Sequence, residues 1–348
     1  MEMDIRSPAA EGYYVPAEWE RHDRCWIQWP ARGQRWGERL PEVYRAYAEV
    51  ARAIAQFEPV SMVVRPEDEA QARVACGRDI DILPIDIDDS WARNTAPIFV
   101  ARADGQVAGV HWQFNGLGNV QHGYVHDATV GRRILNSLRL QQFEGPMVLE
   151  GGAVCVDGYG TLLTCEACLL NDNRNPELTR QQVEELLALF FGARRVVWLS
   201  QGLEGDEGGG HVDLMARFCE AGKVLIHTPN DSGDPDFARM ADNRARLAGA
   251  RDGGGRGIDL LDVPAPSQVL RNAAGQRLCL SYLGFYVANG GVVMPAFGDG
   301  HDRRAADIIA GAFPGREVVA VPALELALGG GNIHRMTQQQ PAAGPSGG

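Results

Sequence analysis

Gly210-His211-Val212-Asp213 places an imidazole two residues from a carboxylate, and Leu149-Glu150-Gly151-Gly152 sets a second carboxylate ahead of two glycines. An imidazole flanked by carboxylates can move protons on a small molecule. Residues two apart on a strand share a face, so a strand at His211 and Asp213 predicts that both side chains serve one site. His211, Asp213 and Glu150 are therefore the candidate catalytic residues. The glycines after Glu150 suit a hairpin mouth where backbone comes close to a ligand. Each feature also has a plainer use. A histidine beside a buried aspartate can be a structural pair, Glu150 can bridge to Arg93, and Trp91 can stack on a cation or simply pack.

Residues so far apart in the chain need a scaffold that gathers them. Hairpin signals occur at 94–112 around Asp104-Gly105, at 151–164 around Asp157-Gly158, at 212–227 around Gly222 and at 285–295 around Gly290-Gly291, and a fifth motif opens at Gly329. Amphipathic helices are predicted over 41–57, 128–140, 178–191, 236–247 and 303–313, with Pro41 suited to a helix start and Gly192 to a helix end. A unit recurring five times at roughly 50–70 residue spacing predicts radial repetition around a central channel. An open α/β sheet is the competing arrangement, but no G-x-G-x-x-G or P-loop marks a phosphate site, and Gly253-Gly254-Gly255 reads as a loop. The expectation is one domain over 1–341 and a disordered tail at 342–348.

Composition narrows the partners. A net charge of -12 disfavours nucleic acid and anionic membrane, leaving a small-molecule substrate as the expected partner and a homo-oligomer as an open option. The first residues lack an apolar stretch, so neither a signal peptide nor a membrane span is expected and a cytoplasmic location follows. Seven scattered cysteines argue against a disulfide framework, and the single C-x-x-C at Cys165 and Cys168 has no companion pair. No cofactor is implied. No metal is expected either, since H-E-x-x-H and Cys/His ligand sets are missing, although His211, Asp213 and Glu150 are of ligating type.

Four segments carry a resemblance: Asp88-Asp89-Ser90-Trp91-Ala92-Arg93, Leu149-Glu150-Gly151-Gly152, Gly210-His211-Val212-Asp213 and Gly329-Gly330-Gly331-Asn332-Ile333-His334. With Pro16-Ala17-Glu18-Trp19-Glu20 and Thr337-Gln338-Gln339-Gln340-Pro341 they resemble, in order and over nearly the whole chain, the agmatine deiminases of the guanidine-modifying superfamily. The resemblance implies a five-bladed α/β-propeller, or pentein, of pseudo-repeated ββαβ units. It implies a reaction in which a cysteine thiolate attacks the guanidinium carbon, carboxylates hold the cation and a histidine shuttles protons, giving N-carbamoylputrescine. Glu150 and Asp213 match the carboxylates, and Asp88, Trp91, Asn94, Asn332 and Arg335 fall at substrate-binding positions.

Two departures bear on chemistry. Asn94 stands where the family pattern has a guanidinium-binding aspartate, and Arg335 stands where it has the nucleophilic cysteine. Arginine stays protonated and offers donors only, so thiol addition at position 335 is excluded. Cys155 and Cys168 are expected in another blade and no substitute. The pocket becomes more positive by roughly two charges, which repels a guanidinium; the alternative is that Arg335 pairs with Glu150 or Asp213 and plugs the site. Leu214 and Gly284 replace asparagines of the pattern, which suggests reshaping. Three functions compete: a repurposed acid-base enzyme acting on an amino-acid- or guanidine-derived metabolite, an agmatine deiminase inactive as written, and a non-catalytic binding or regulatory protein.

Overall fold

The computed structural model describes residues 6–31 and 36–344. β1 (His22–Gln28), β2 (Val60–Val64) and β3 (Ile80–Pro84) pair in parallel, which requires crossovers, and the helices Leu40–Ala55 and Glu69–Cys76 supply them. Four three-stranded sheets follow. They are β4 (Ile98–Ala101), β5 (Val107–Gln113) and β6 (Gln141–Val148); β7 (Val154–Val156), β8 (Thr161–Cys165) and β9 (Arg195–Leu199); β10 (Ala216–Glu220), β11 (Lys223–Thr228) and β12 (Asp259–Pro264); β13 (Tyr286–Val287), β14 (Gly291–Ala296) and β15 (Glu317–Pro322). In each, a hairpin pairs antiparallel and a helix carries the chain to a parallel third strand. The last strand, β16 (Thr337–Pro341), returns to pair antiparallel with β1, so the fifth sheet is built from both ends of the chain.

The crossover helices are Leu40–Ala55, Asp127–Leu138, Arg180–Phe191, Pro235–Gly249 and Asp302–Ala312, which lie within a few residues of the predicted spans. Local chemistry fixes their ends. Thr179 and Gln182 form a reciprocal capping box, and Gly192 closes the same helix at φ 72, where a side chain would be strained. Val43, Tyr47, Val50 and Ile54 recur at helical spacing on the buried side of Leu40–Ala55. Fully burying such a side chain contributes about 1.5–3 kcal/mol.

The first strand of each repeat is preceded by a short segment: Ala92–Thr95, Gly151–Ala153, Val212–Leu214, residues 281–285 and Ile333–Met336. Ile333–Met336 packs on Ala92–Thr95, which packs on Gly151–Ala153, which packs on Val212–Leu214. These turns therefore gather the motif residues. Asp213 accordingly sits on a helical turn, with His211 at its start, and neither lies on a strand, which corrects the strand expectation. Among residues 342–348, Ala342 donates its N–H to Arg21 O at 2.8 Å and Gly344 to Gly105 O at 3.1 Å. Residues 345–348 lie outside the described ones. Among the described residues, no helix is long and apolar enough to cross a membrane.

Candidate active site

Asp206 organises the loop that delivers His211. Its carboxylate accepts the backbone N–H groups of Gly208, Gly210 and His211, each at 2.9 Å. The His211 ring is buried, with Nε2 3.6 Å from Glu150 Oε2, and neither ring nitrogen has a hydrogen-bond partner among the described residues. Gly152 makes room for it. A Cβ there would lie 2.7 Å from His211 Nδ1 and 3.1 Å from Asp213 Oδ2. Glu150 is fully buried and receives Arg174 Nε at 2.9 and 3.2 Å, while Arg174 Nη2 donates to Gly208 O at 3.1 Å. Burial pushes the Glu150 carboxyl up, but His211 and Arg174 outweigh it and hold it below its ordinary value. The bridge expected between Glu150 and Arg93 is thus replaced by one to Arg174.

Arg93 serves another network. It donates to His334 O at 3.3 Å and to Gln339 Oε1 at 2.7 Å, and comes within 3.9 Å of Glu18. His334 joins the site to that network: Nδ1 lies 2.8 Å from Asp213 Oδ2, and Nε2 lies 3.1 Å from Glu18 Oε1. Glu18 also takes the Arg217 guanidinium. Burial raises the Asp213 carboxyl, but His334, Arg335 and His211 together bring it below its ordinary value. Burial and the charges of Arg217 and Arg93 lower the His334 imidazole, while Glu18 and Asp213, one facing each ring nitrogen, pull it the other way.

Arg335 is buried, and its partner is Asp206: Nη2 reaches that carboxylate, Nη1 donates to Gly330 O at 2.9 Å, and the backbone N–H donates to Asn332 Oδ1 at 3.0 Å. This corrects the alternative in which Arg335 pairs with Glu150 or Asp213. Burial alone would raise the Asp206 carboxyl, yet Arg335 and His211 hold it well below the usual range. Gly284 leaves space for Asn332, since a Cβ would lie 2.6 Å from Asn332 Cγ. Asn94 is buried, and its Oδ1 has no partner among the described residues.

Trp91 stands between Trp36 and Tyr47, with ring centroids 6.1 and 6.2 Å away, and a Cβ on Gly331 would meet its ring at 2.4 Å. Asp88 is engaged at a helix start. Its Oδ2 accepts the N–H groups of His126 and Asp127, at 2.7 and 3.2 Å, at the start of helix Asp127–Leu138. That is the N-terminal carboxylate position that favours a helix.

Sequence reasoning missed Asp206, Arg174, Glu18 and His334 as site-building residues. A signal existed for Asp206, which stands in the acidic, glycine-rich run Glu204-Gly205-Asp206-Glu207-Gly208-Gly209-Gly210. Cys168 belongs to a different blade from Arg335, as expected, yet it comes close to the site. It sits on the turn Glu166–Leu169 after β8 and folds against the site, so that ligating atoms of Glu150, Cys168 and His211 all lie within 4.8 Å of one another. This trio is chemically able to hold a soft divalent ion, but Glu150 is already engaged by Arg174. A cavity of about 100 Å³ lies beside Gly330, lined also by Glu207, Arg277 and Cys279.

Five ββαβ repeats whose leading turns bring buried carboxylates, guanidinium groups and histidines to one centre define a pentein, the α/β-propeller of guanidine-modifying proteins. Residues 14–341 match the family model of the Porphyromonas-type peptidyl-arginine deiminases. The chain is 40% identical over 359 residues to the agmatine deiminase of Stutzerimonas stutzeri, with 97% of each covered. It is 37% identical over 367 residues to that of Medicago truncatula, covering 97% of this chain and 98% of the relative. The solved agmatine deiminase of Enterococcus faecalis superposes with a TM-score of 0.94 at 31% identity, covering 98% of this chain and 99% of that one. The chain belongs to the agmatine deiminase family.

Proposed function

We propose that this protein keeps the small-molecule pocket of the agmatine deiminases but, as its sequence stands, does not turn agmatine and water into N-carbamoylputrescine and ammonia by thiol addition. One observation carries the reading: Arg335, at the position the family pattern gives to the nucleophile, is buried and ion-paired with Asp206. A guanidinium has no lone pair to give to carbon and stays protonated at any physiological pH. His211, Asp213 and Glu150 keep the proton-handling and ligand-holding parts of the site, so what is missing is the attacking atom.

Ammonia release from agmatine tests this. The unaltered chain should release none above a heat-inactivated control, and the double variant Arg335→Cys, Asn94→Asp should gain release. Production of N-carbamoylputrescine by the unaltered chain would defeat the proposal.

A second reading, deimination through Cys168, draws on the closeness of Cys168 to His211 and Glu150. Burial and the Glu150 charge push that thiol well above its usual range, which starves it of thiolate. Ammonia release abolished by Cys168→Ser would favour this alternative.

A further inference from the structure

Two independent observations on the inner site concern the charge and the hydrogen-bonding character of what it holds. The first is charge balance. The buried carboxylates of Glu18, Glu150, Asp206 and Asp213 are matched by four guanidinium groups, those of Arg217, Arg174, Arg335 and Arg93. His334 sits between Glu18 and Asp213, with Nε2 3.1 Å from Glu18 Oε1 and Nδ1 2.8 Å from Asp213 Oδ2. Together these groups carry no net negative charge before any ligand enters. With aspartate at position 94 and a thiol at position 335, the same site would gain one negative charge and lose one positive charge, and would suit a cation. A cation entering among these groups finds no net negative charge there and adds a positive one beside Arg335, at a cost that low dielectric magnifies.

The second observation is the hydrogen-bond inventory. Among the described residues, the buried inner-site atoms without a partner include two N–H donors, Arg335 Nε and Asn332 Nδ2. They also include two carbonyl or carboxylate acceptors, Asn94 Oδ1 and Asp213 Oδ1, and both ring nitrogens of His211, one donor and one acceptor when neutral. A guanidinium offers donors only, so it serves the acceptors and leaves the donors unmet. A ureido group offers N–H donors and a carbonyl oxygen with two lone pairs, and serves both.

We propose that the head group this pocket takes is neutral and ureido-like, a carbamoylated amine, in place of the guanidinium. The proposal rests on the reading of the site as the family's small-molecule pocket. The two substitutions are then a matched pair: Asn94 removes a carboxylate that only a cation needs, and Arg335 adds a donor that only an acceptor can use. This also accounts for an intact His211, Asp213 and Glu150 around a site without a thiol.

Isothermal titration calorimetry on the full chain, with N-carbamoylputrescine and agmatine as probes at one pH and ionic strength, tests the idea. N-carbamoylputrescine should bind at least about tenfold more tightly than agmatine. Agmatine binding as tightly or more tightly overturns the proposal, and so does failure of both probes to bind. Asn94→Asp, a near-isosteric change that leaves the Arg335–Asp206 pair in place, should shrink or reverse the preference; an unchanged preference overturns the proposal. Ammonia is followed in the same samples. Its release from agmatine defeats the reading of an arrested site, whereas tight agmatine binding without release defeats only the ureido head group.

Discussion

Arg335 and Asp206 form the inner contact least anticipated from sequence, and its energetics can be tested on its own. Removing one partner of a buried pair leaves the other charged and uncompensated, which costs about 3–5 kcal/mol. Three backbone N–H groups also hold the Asp206 carboxylate, so the lower end of that range is the expected loss for Arg335→Ala. The sign with pH follows from the depressed Asp206 carboxyl. A carboxyl whose folded value lies below its unfolded one contributes stability that is full above the unfolded value, near 3.9, and is lost as pH falls through the folded value. Urea unfolding of native chain and Arg335→Ala should therefore differ by a constant amount from pH 5 to 8 and converge below about pH 4. An equal difference at pH 3 and pH 7 would show that the pair is not its origin. That His211, Asp213 and Glu150 come together could be anticipated, because each stands in a short motif of polar residues and glycines. Asp206, Arg174 and Glu18 could not be anticipated, because each acquires its role from a partner far along the chain, and spacing holds no trace of such a pairing.

At the scale of elements, periodicity was informative where segments are long and silent where they are short. Helix Leu40–Ala55 shows its apolar stripe over four turns, and helix Arg180–Phe191 is bracketed by a cap at each end, so both could be placed to within a few residues. The turn Val212–Leu214 is three residues long, and a two-residue alternation over so short a stretch cannot distinguish a strand from a helical turn. These turns are nonetheless what positions the chemistry, and Gly152 shows how tightly. A methyl there would approach both His211 and Asp213 inside normal contact distance. Gly152→Ala should displace the His211 ring, weakening ligand binding by about tenfold or more while costing about 1–3 kcal/mol of stability. Calorimetric titration beside urea unfolding separates the two effects. Unaltered binding would show that the ring tolerates the intrusion, and that its position is set elsewhere.

At the scale of the whole molecule, the five repeats meet through charges as well as through apolar packing. Glu18 comes from the segment before β1 and reaches Arg217 on β10, His334 in the turn before β16 and, at 3.9 Å, Arg93 in the turn before β4. Burial alone would raise its carboxyl, but Arg217, His334 and Arg93 hold it well below the ordinary value. One carboxylate thus fastens three repeats at the axis, while β16 against β1 fastens the rim. The fivefold repeat could be read from the spacing of hairpins, but this hub could not, since Glu18 shares a short motif with another acid and nothing local singles it out. In a linear array of repeats, stability is a sum of neighbouring terms and parts can melt separately. A closed ring tied at its centre should lose all repeats together. Glu18→Gln keeps the shape but strands Arg217 and Arg93 without their counter-charge, at a cost of about 3 kcal/mol. The expected outcome is one unfolding transition, shifted to lower urea with an unchanged slope, when followed both by tryptophan fluorescence and by far-ultraviolet circular dichroism. Two separated transitions, or probes that disagree, would mean that the repeats hold themselves up individually and that the axial network serves the site alone.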